Sequence, residues 1–156
     1  MLKDLFLLVH PTTGILGSLA AVWVFVETVK VDADGLRRIK FASMTAAALM
    51  VLTWLAGGVW DWVYYAGDME FVDKGIWAPV GDAAMEFKEH YMAVVLLLAV
   101  YLPIAAFRGY LPTSRGERLL VLSVSGLLAL SGLAMEGAGA VLAMSVKSGL
   151  AQAAGG

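Results

Sequence analysis

The chain has 156 residues, 60% of them apolar and only 15% charged, and its mean hydropathy is +0.79. Soluble domains carry roughly a quarter charged residues mixed through the sequence, so this composition excludes an ordinary water-soluble domain and predicts an integral membrane protein. A net charge of −2 offers no basic field to a phosphate backbone, and the absence of Cys excludes disulfides, thiolate zinc sites, cysteine-ligated iron–sulfur clusters and covalently attached c-type haem.

Four apolar segments are long enough to cross a hydrocarbon core about 30 Å thick, which needs roughly 20 residues at helical rise. The first runs from about Leu5 to Val29 and is interrupted by His10-Pro11. Lys3 is followed at once by Asp4, the apolar run is too long and no small-residue cleavage site ends it, so a retained span is expected in place of a signal peptide. Glu27, near the end of this span, is expected to pair with Lys30 or with Arg37-Arg38. The second span, Phe41 to Trp60, has no charge, and Gly57 and Gly58 suit it to close helix contact. A long connection, 61–85, follows; within it Gly75 to Gly81 is expected to form turns, because Gly and Pro punctuate it. The third span covers about Glu86 to Phe107, with a kink expected at Pro103, and the fourth covers Leu119 to Val146, broken only by Glu136. The Ala/Gly tail 151–156 is expected to be disordered. The predicted fold is all-α: one domain, 1–150, forming an integral membrane four-helix bundle that runs up-down-up-down with both termini on the non-cytoplasmic side.

That orientation follows from the distribution of basic residues, which are retained in the cytoplasm near span ends. Lys30, Arg37, Arg38 and Lys40 follow the first span, and Arg108, Arg115 and Arg118 follow the third. The 61–85 connection instead carries Asp61, Asp68, Glu70, Asp73 and Asp82 against a single Lys74. It also holds Trp62, Tyr64, Tyr65 and Trp77, which together with Trp60 form the aromatic belt of a membrane boundary. A multi-pass protein of the cell (inner) membrane, with its acidic and aromatic loop facing outward, is the expected placement.

The chain has two histidines, His10 and His90, and antiparallel threading puts both near the outer face. Two imidazoles at one level are able to ligate a b-type haem or share a single transition-metal ion. Below His10, the stripe Gly14, Gly17 and Ala21 offers a smooth groove that suits either a flat macrocycle or close helix packing. Glu86 is four residues before His90 and on its face, as a further ligand or as the acceptor of its second N–H. Glu89 is turned about 100° away, in line with Met85 and Met92.

Glu136 interrupts an apolar run at a cost of roughly 2.5–3.5 kcal/mol mid-span, so it is expected to face the bundle interior. Ser125, Ala129, Gly132, Gly139 and Ala143 share its stripe, and all are small. It lies 18 residues beyond Arg118, or about 27 Å, which brings it to the level of the histidines. The expected site therefore has His10, His90, Glu86 and Glu136 as metal ligands, with Asp61 and Glu89 in supporting or proton-transfer roles. No Glu-x-x-His pair is present, which argues against a di-iron carboxylate centre. The methionines, Met44, Met50, Met85, Met92, Met135 and Met144 among them, are read as flexible core filler in preference to thioether ligands for copper. No P-loop, nucleophile elbow, His-Glu-x-x-His helix or dinucleotide-binding turn occurs.

The function expected from these residues is that of a small membrane subunit with a His-ligated metal or haem b site near the outer face, serving electron transfer. A structural or accessory subunit without cofactor, and a small proton-coupled carrier centred on Glu136, are the alternatives. The expected partners are the lipid bilayer and a larger membrane complex or further copies of the chain, with no nucleic acid.

Overall fold

The computed structural model describes residues 2–108 and 111–155 and is helical almost throughout, with no strand among the described residues. Helix α1 spans Leu2–Val29, α2 Ala33–Trp60, α3 Ala66–Lys74, α4 Ala78–Phe107 and α5 Arg115–Gly155. Between α2 and α3 lies a π-helical turn, Asp61–Tyr65, so that residues Asp34–Asp73 form one unbroken helical rod. Four helical segments are long and apolar enough to cross a membrane: Leu2–Val29, Asp34–Asp73, Ala78–Phe107 and Arg115–Gly155.

Two sequence expectations are corrected here. The 61–85 connection is helical apart from residues 75–77, because Pro79 falls in the first turn of α4, where its missing N–H costs nothing, and so it starts a helix. The tail expected to be disordered is helical as far as Gly155, continuing α5 beyond Gly149, where it packs against α3. Pro11 and Pro103 are both accommodated inside continuous helices.

The helices form a four-membered ring in which α1 touches α2 and α5, and α4 touches the same two. Small side chains set the spacing. Ala21, Ala42, Ala46, Ala99, Ala105 and Ala106 are fully buried together with Val24, Ile39, Leu102 and Leu128, which lets the backbones approach closely where no water drives association. Polar clasps close the end of the bundle near the short connections. Arg38 grips Glu27 with two bonds of 2.9 Å, joining α1 to α2 as the sequence leads one to expect. Arg108 meets Glu117 at 3.5 Å between α4 and α5, and the Lys40 ammonium lies 5.3 Å from the centre of the Phe107 ring. The start of α2 is capped by Asp32, whose carboxylate accepts from the Gly35 N–H at 2.6 Å.

At the opposite end, Lys3 on α1 bonds Asp68 on α3 at 2.6 Å. Gly149 on α5 lies directly against the backbone of Phe71, and a side chain there would overlap the Phe71 carbonyl. The start of α1, the whole of α3 and the last turns of α5 therefore gather at one end, called here the α3 end. Gly149→Ala is expected to lose about 1–3 kcal/mol through this overlap, whereas Gly137→Ala, which meets open space, is expected to be neutral. Melting curves of both variants in the same detergent check this pair.

Candidate functional site

Toward the α3 end the close packing of small residues gives way to polar side chains and two adjoining cavities. Three contacts made by glycines build this region. Gly57 on α2 lacks a Cβ, and the His10 imidazole occupies the space one would take. Gly14 on α1 does the same for the Glu136 carboxylate, and Gly17 together with Gly132 receives the Met50 thioether. The groove expected below His10 is thus occupied, by Glu136 of α5 against Gly14 and by Met50 of α2 against Gly17.

His10 is held by a bond of 2.8 Å between its Nδ1 and the Thr53 carbonyl. A carbonyl only accepts, so Nδ1 carries a proton, and in the neutral imidazole Nε2 keeps the lone pair. The hydroxyl of the same Thr53 donates to the Thr13 hydroxyl at 2.7 Å, and Thr13 in turn donates to the Val9 carbonyl at 2.8 Å. Helices α1 and α2 are therefore locked in register around the imidazole.

The first cavity, about 190 Å³, lies among the helices and is lined by His10, Trp60, Asp61, Lys88, Glu89 and Glu136, with Met50, Met85, Met92 and Met135 supplying much of its apolar wall. The second, about 540 Å³, runs between α1 and α5, with Leu7, Pro11 and Ile15 on one side and Leu142, Ala143 and Val146 on the other. His10, Trp60, Lys88, Met135 and Glu136 line both. The polar centre accordingly stands where an inner chamber meets an apolar side groove. Lys88 is within electrostatic range of Glu136 and Asp61, although no ion pair within 4 Å joins them among the described residues. The Trp60 indole N–H is buried and has no hydrogen-bond partner among the described residues.

Of the residues singled out from sequence, the structure brings His10, Glu136, Asp61 and Glu89 to the chamber wall. It does not bring His90 or Glu86. Both are exposed on the far side of α4, line neither cavity, and are joined only by a bond of 2.8 Å from His90 Nδ1 to the Glu86 carbonyl. The two imidazoles are not set against a common point, and among the described residues no group of three His, Asp or Glu side chains is placed to hold a metal ion.

The physical reason is helical phase. The buried positions Gly81, Ala84, Val95, Ala99, Leu102 and Ala106 of α4 lie on a stripe of three- and four-residue steps that passes through Lys88 and Met92. Glu86 and His90 share a face with each other, as their spacing requires, but it is the opposite face. Lys88, not singled out from the sequence, is the residue that this stripe delivers inward. Running the alanine stripe of the third span backward from Ala106 is the signal that finds it.

No known protein family, curated protein or solved structure matches this chain.

The imidazole assignment has a direct spectroscopic consequence. In ¹⁵N-histidine spectra His10 is expected to show a fixed Nδ1–H tautomer, and Gly57→Ala, which drives a methyl into the ring, is expected to abolish that signal while leaving the His90 resonance in place.

Proposed function

We propose that this chain is a multi-pass membrane protein that binds a small amphipathic molecule, its polar head in the inner chamber and its apolar remainder in the groove between α1 and α5. The observation that carries this reading is the shared wall: the five residues common to both cavities include an imidazole, an ammonium, a carboxylate and an indole ring. A ligand entering along Leu7, Ile15, Leu142 and Val146 meets these groups where the apolar groove ends. Pockets of this kind, mostly apolar with a few convergent polar groups, are the usual form of small-molecule sites. The His10 Nε2 lone pair and the Glu136 carboxylate are suited to take protons from a bound hydroxyl, and the Lys88 ammonium to donate to a bound carbonyl. This reading keeps Glu136 in a proton-handling role and is compatible with service in electron transport.

A second reading has its own support. A Nδ1–H held by a backbone carbonyl is the arrangement that orients a histidine toward a metal through Nε2, so His10 is equipped to be a single imidazole ligand to haem or to a metal ion. A Soret band, or stoichiometric metal in purified protein, lost on His10→Ala and kept on His90→Ala, would establish it; absence of both sets it aside.

Orientation belongs to the same proposal. The Lys and Arg residues around 30–40 and 108–118 support a cytoplasmic side for those connections and an outer side for the α3 end with both termini. The chain has no Cys, so single cysteines introduced at Ala153 and Ser114 are clean reporters: an impermeant maleimide is expected to label the first and not the second in intact cells, and the reverse pattern would invert the topology.

The binding reading is tested with Ala143→Trp, which places an indole in the groove. Wild-type protein incubated with a total membrane lipid extract and repurified is expected to retain a near-stoichiometric amphiphile by mass spectrometry, and the variant about tenfold less. A wild type that retains nothing overturns the proposal.

A further inference from the structure

Resting on the chamber reading above, we infer that the bound molecule belongs to the quinone and hydroquinone class: an uncharged ring with oxygens that accept or donate hydrogen bonds, attached to an aliphatic tail. Charge is the first argument. Lys88 already stands opposite Glu136 and Asp61, with Glu89 on the same wall. An anionic head would be added to three carboxylates, an addition that is costly in a bundle interior of low dielectric. A cationic head would have to compete with Lys88 for the carboxylates it already faces, which a neutral head need not do.

Hydrogen bonding is the second argument. A buried indole N–H without a partner loses the bond that water would give it, a cost that an acceptor in the chamber removes. Trp60 holds such a group, without a partner among the described residues; its side chain lines both cavities and the N–H sits just inside their wall, where a turn of the ring would bring it to an acceptor. Lys88 adds a second donor, while His10 Nε2 and Glu136 are acceptors. Carbonyl oxygens suit the first pair and hydroxyls the second, so the site offers partners to the oxidised and the reduced form of one ring.

Shape is the third. Gly58 faces open space with no Cβ, so one wall is bare backbone, and Trp54 with four methionines makes most of the rest. Thioethers are soft and adaptable and favour contact with rings. The 190 Å³ chamber is about six times the share of one water molecule in the liquid, which is room for a single substituted ring. The 540 Å³ groove beside it, lined by aliphatic side chains, takes the tail.

The test uses three probes of matched tail and different head: decylubiquinone with its quinol, decanoate, and decyltrimethylammonium. Each is titrated calorimetrically into the full chain in nanodiscs. Saturable one-to-one binding is expected for the quinone and quinol alone, weakened about tenfold or more in Trp60→Phe and in Lys88→Met. Where Lys88→Met does not fold, Trp60→Phe, which keeps an aromatic ring in place, carries the comparison. Quinone binding that is indifferent to these substitutions, or tighter saturable binding of decanoate or decyltrimethylammonium, overturns the inference and leaves the amphiphile proposal standing. No saturable binding of any probe also overturns it, and the Ala143→Trp comparison then decides separately whether the chamber holds an amphiphile of another kind.

Discussion

A carboxylate and an ammonium placed among apolar helices are each costly, and the arrangement of this bundle around its α3 end follows from how that cost is met. Glu136 is accepted because Gly14 leaves its carboxylate a place against the α1 backbone, and Lys88 is accepted because it lies in the field of Glu136 and Asp61. The pairing is loose: no direct salt bridge joins them among the described residues. Two buried charges in full contact neutralise each other and are closed to a ligand, whereas two charges across a chamber keep bonding capacity that a third molecule can use. Glycine at positions 14, 57, 17 and 132 is what holds the chamber in this state, since each admits a functional side chain from another helix instead of a methyl group of its own.

The two ends of the molecule divide the work. Toward the short connections, alanines pack face to face and the clasps Arg38–Glu27 and Arg108–Glu117 tie neighbours together. That half is rigid scaffold. It positions Thr53 and Thr13, whose hydroxyls fix α1 against α2 just beneath His10, so the imidazole inherits its tautomer from a backbone that the core has already set.

Much of this was readable in the residues, and the failures share one cause. The four spans, the Glu27 ion pair and the inward orientation of Glu136 all follow from composition and from small-residue stripes on single helices. The placement of His90 did not, because depth along a helix and direction around it are separate coordinates. Counting residues gives depth, and His10 and His90 do lie on spans that run past the same chamber. Direction requires the phase of the whole helix, and α4 turns His90 outward while carrying Lys88 in. The helical character of 61–85 was missed for a different reason: Pro79 and its neighbouring glycines signal turns locally, while the packing of α3 on α5 that makes them helical is a contact between segments some 70 residues apart. That the Trp60 N–H is left without a partner among the described residues depends on neighbours from other helices, which no spacing rule supplies.

The π-helical turn at Asp61–Tyr65 sets a constraint on how descendants of this chain can vary. Such a turn is the trace of one extra residue wound into an α-helix. Excising it would rotate everything downstream by about 100°, swinging Asp68 away from Lys3 and Phe71 away from Gly149 while leaving Trp60 where it is. The dimensions of the chamber and the docking of α3 are thus indexed to each other by a single step of winding, and length changes between residues 61 and 65 are the ones this architecture can least absorb.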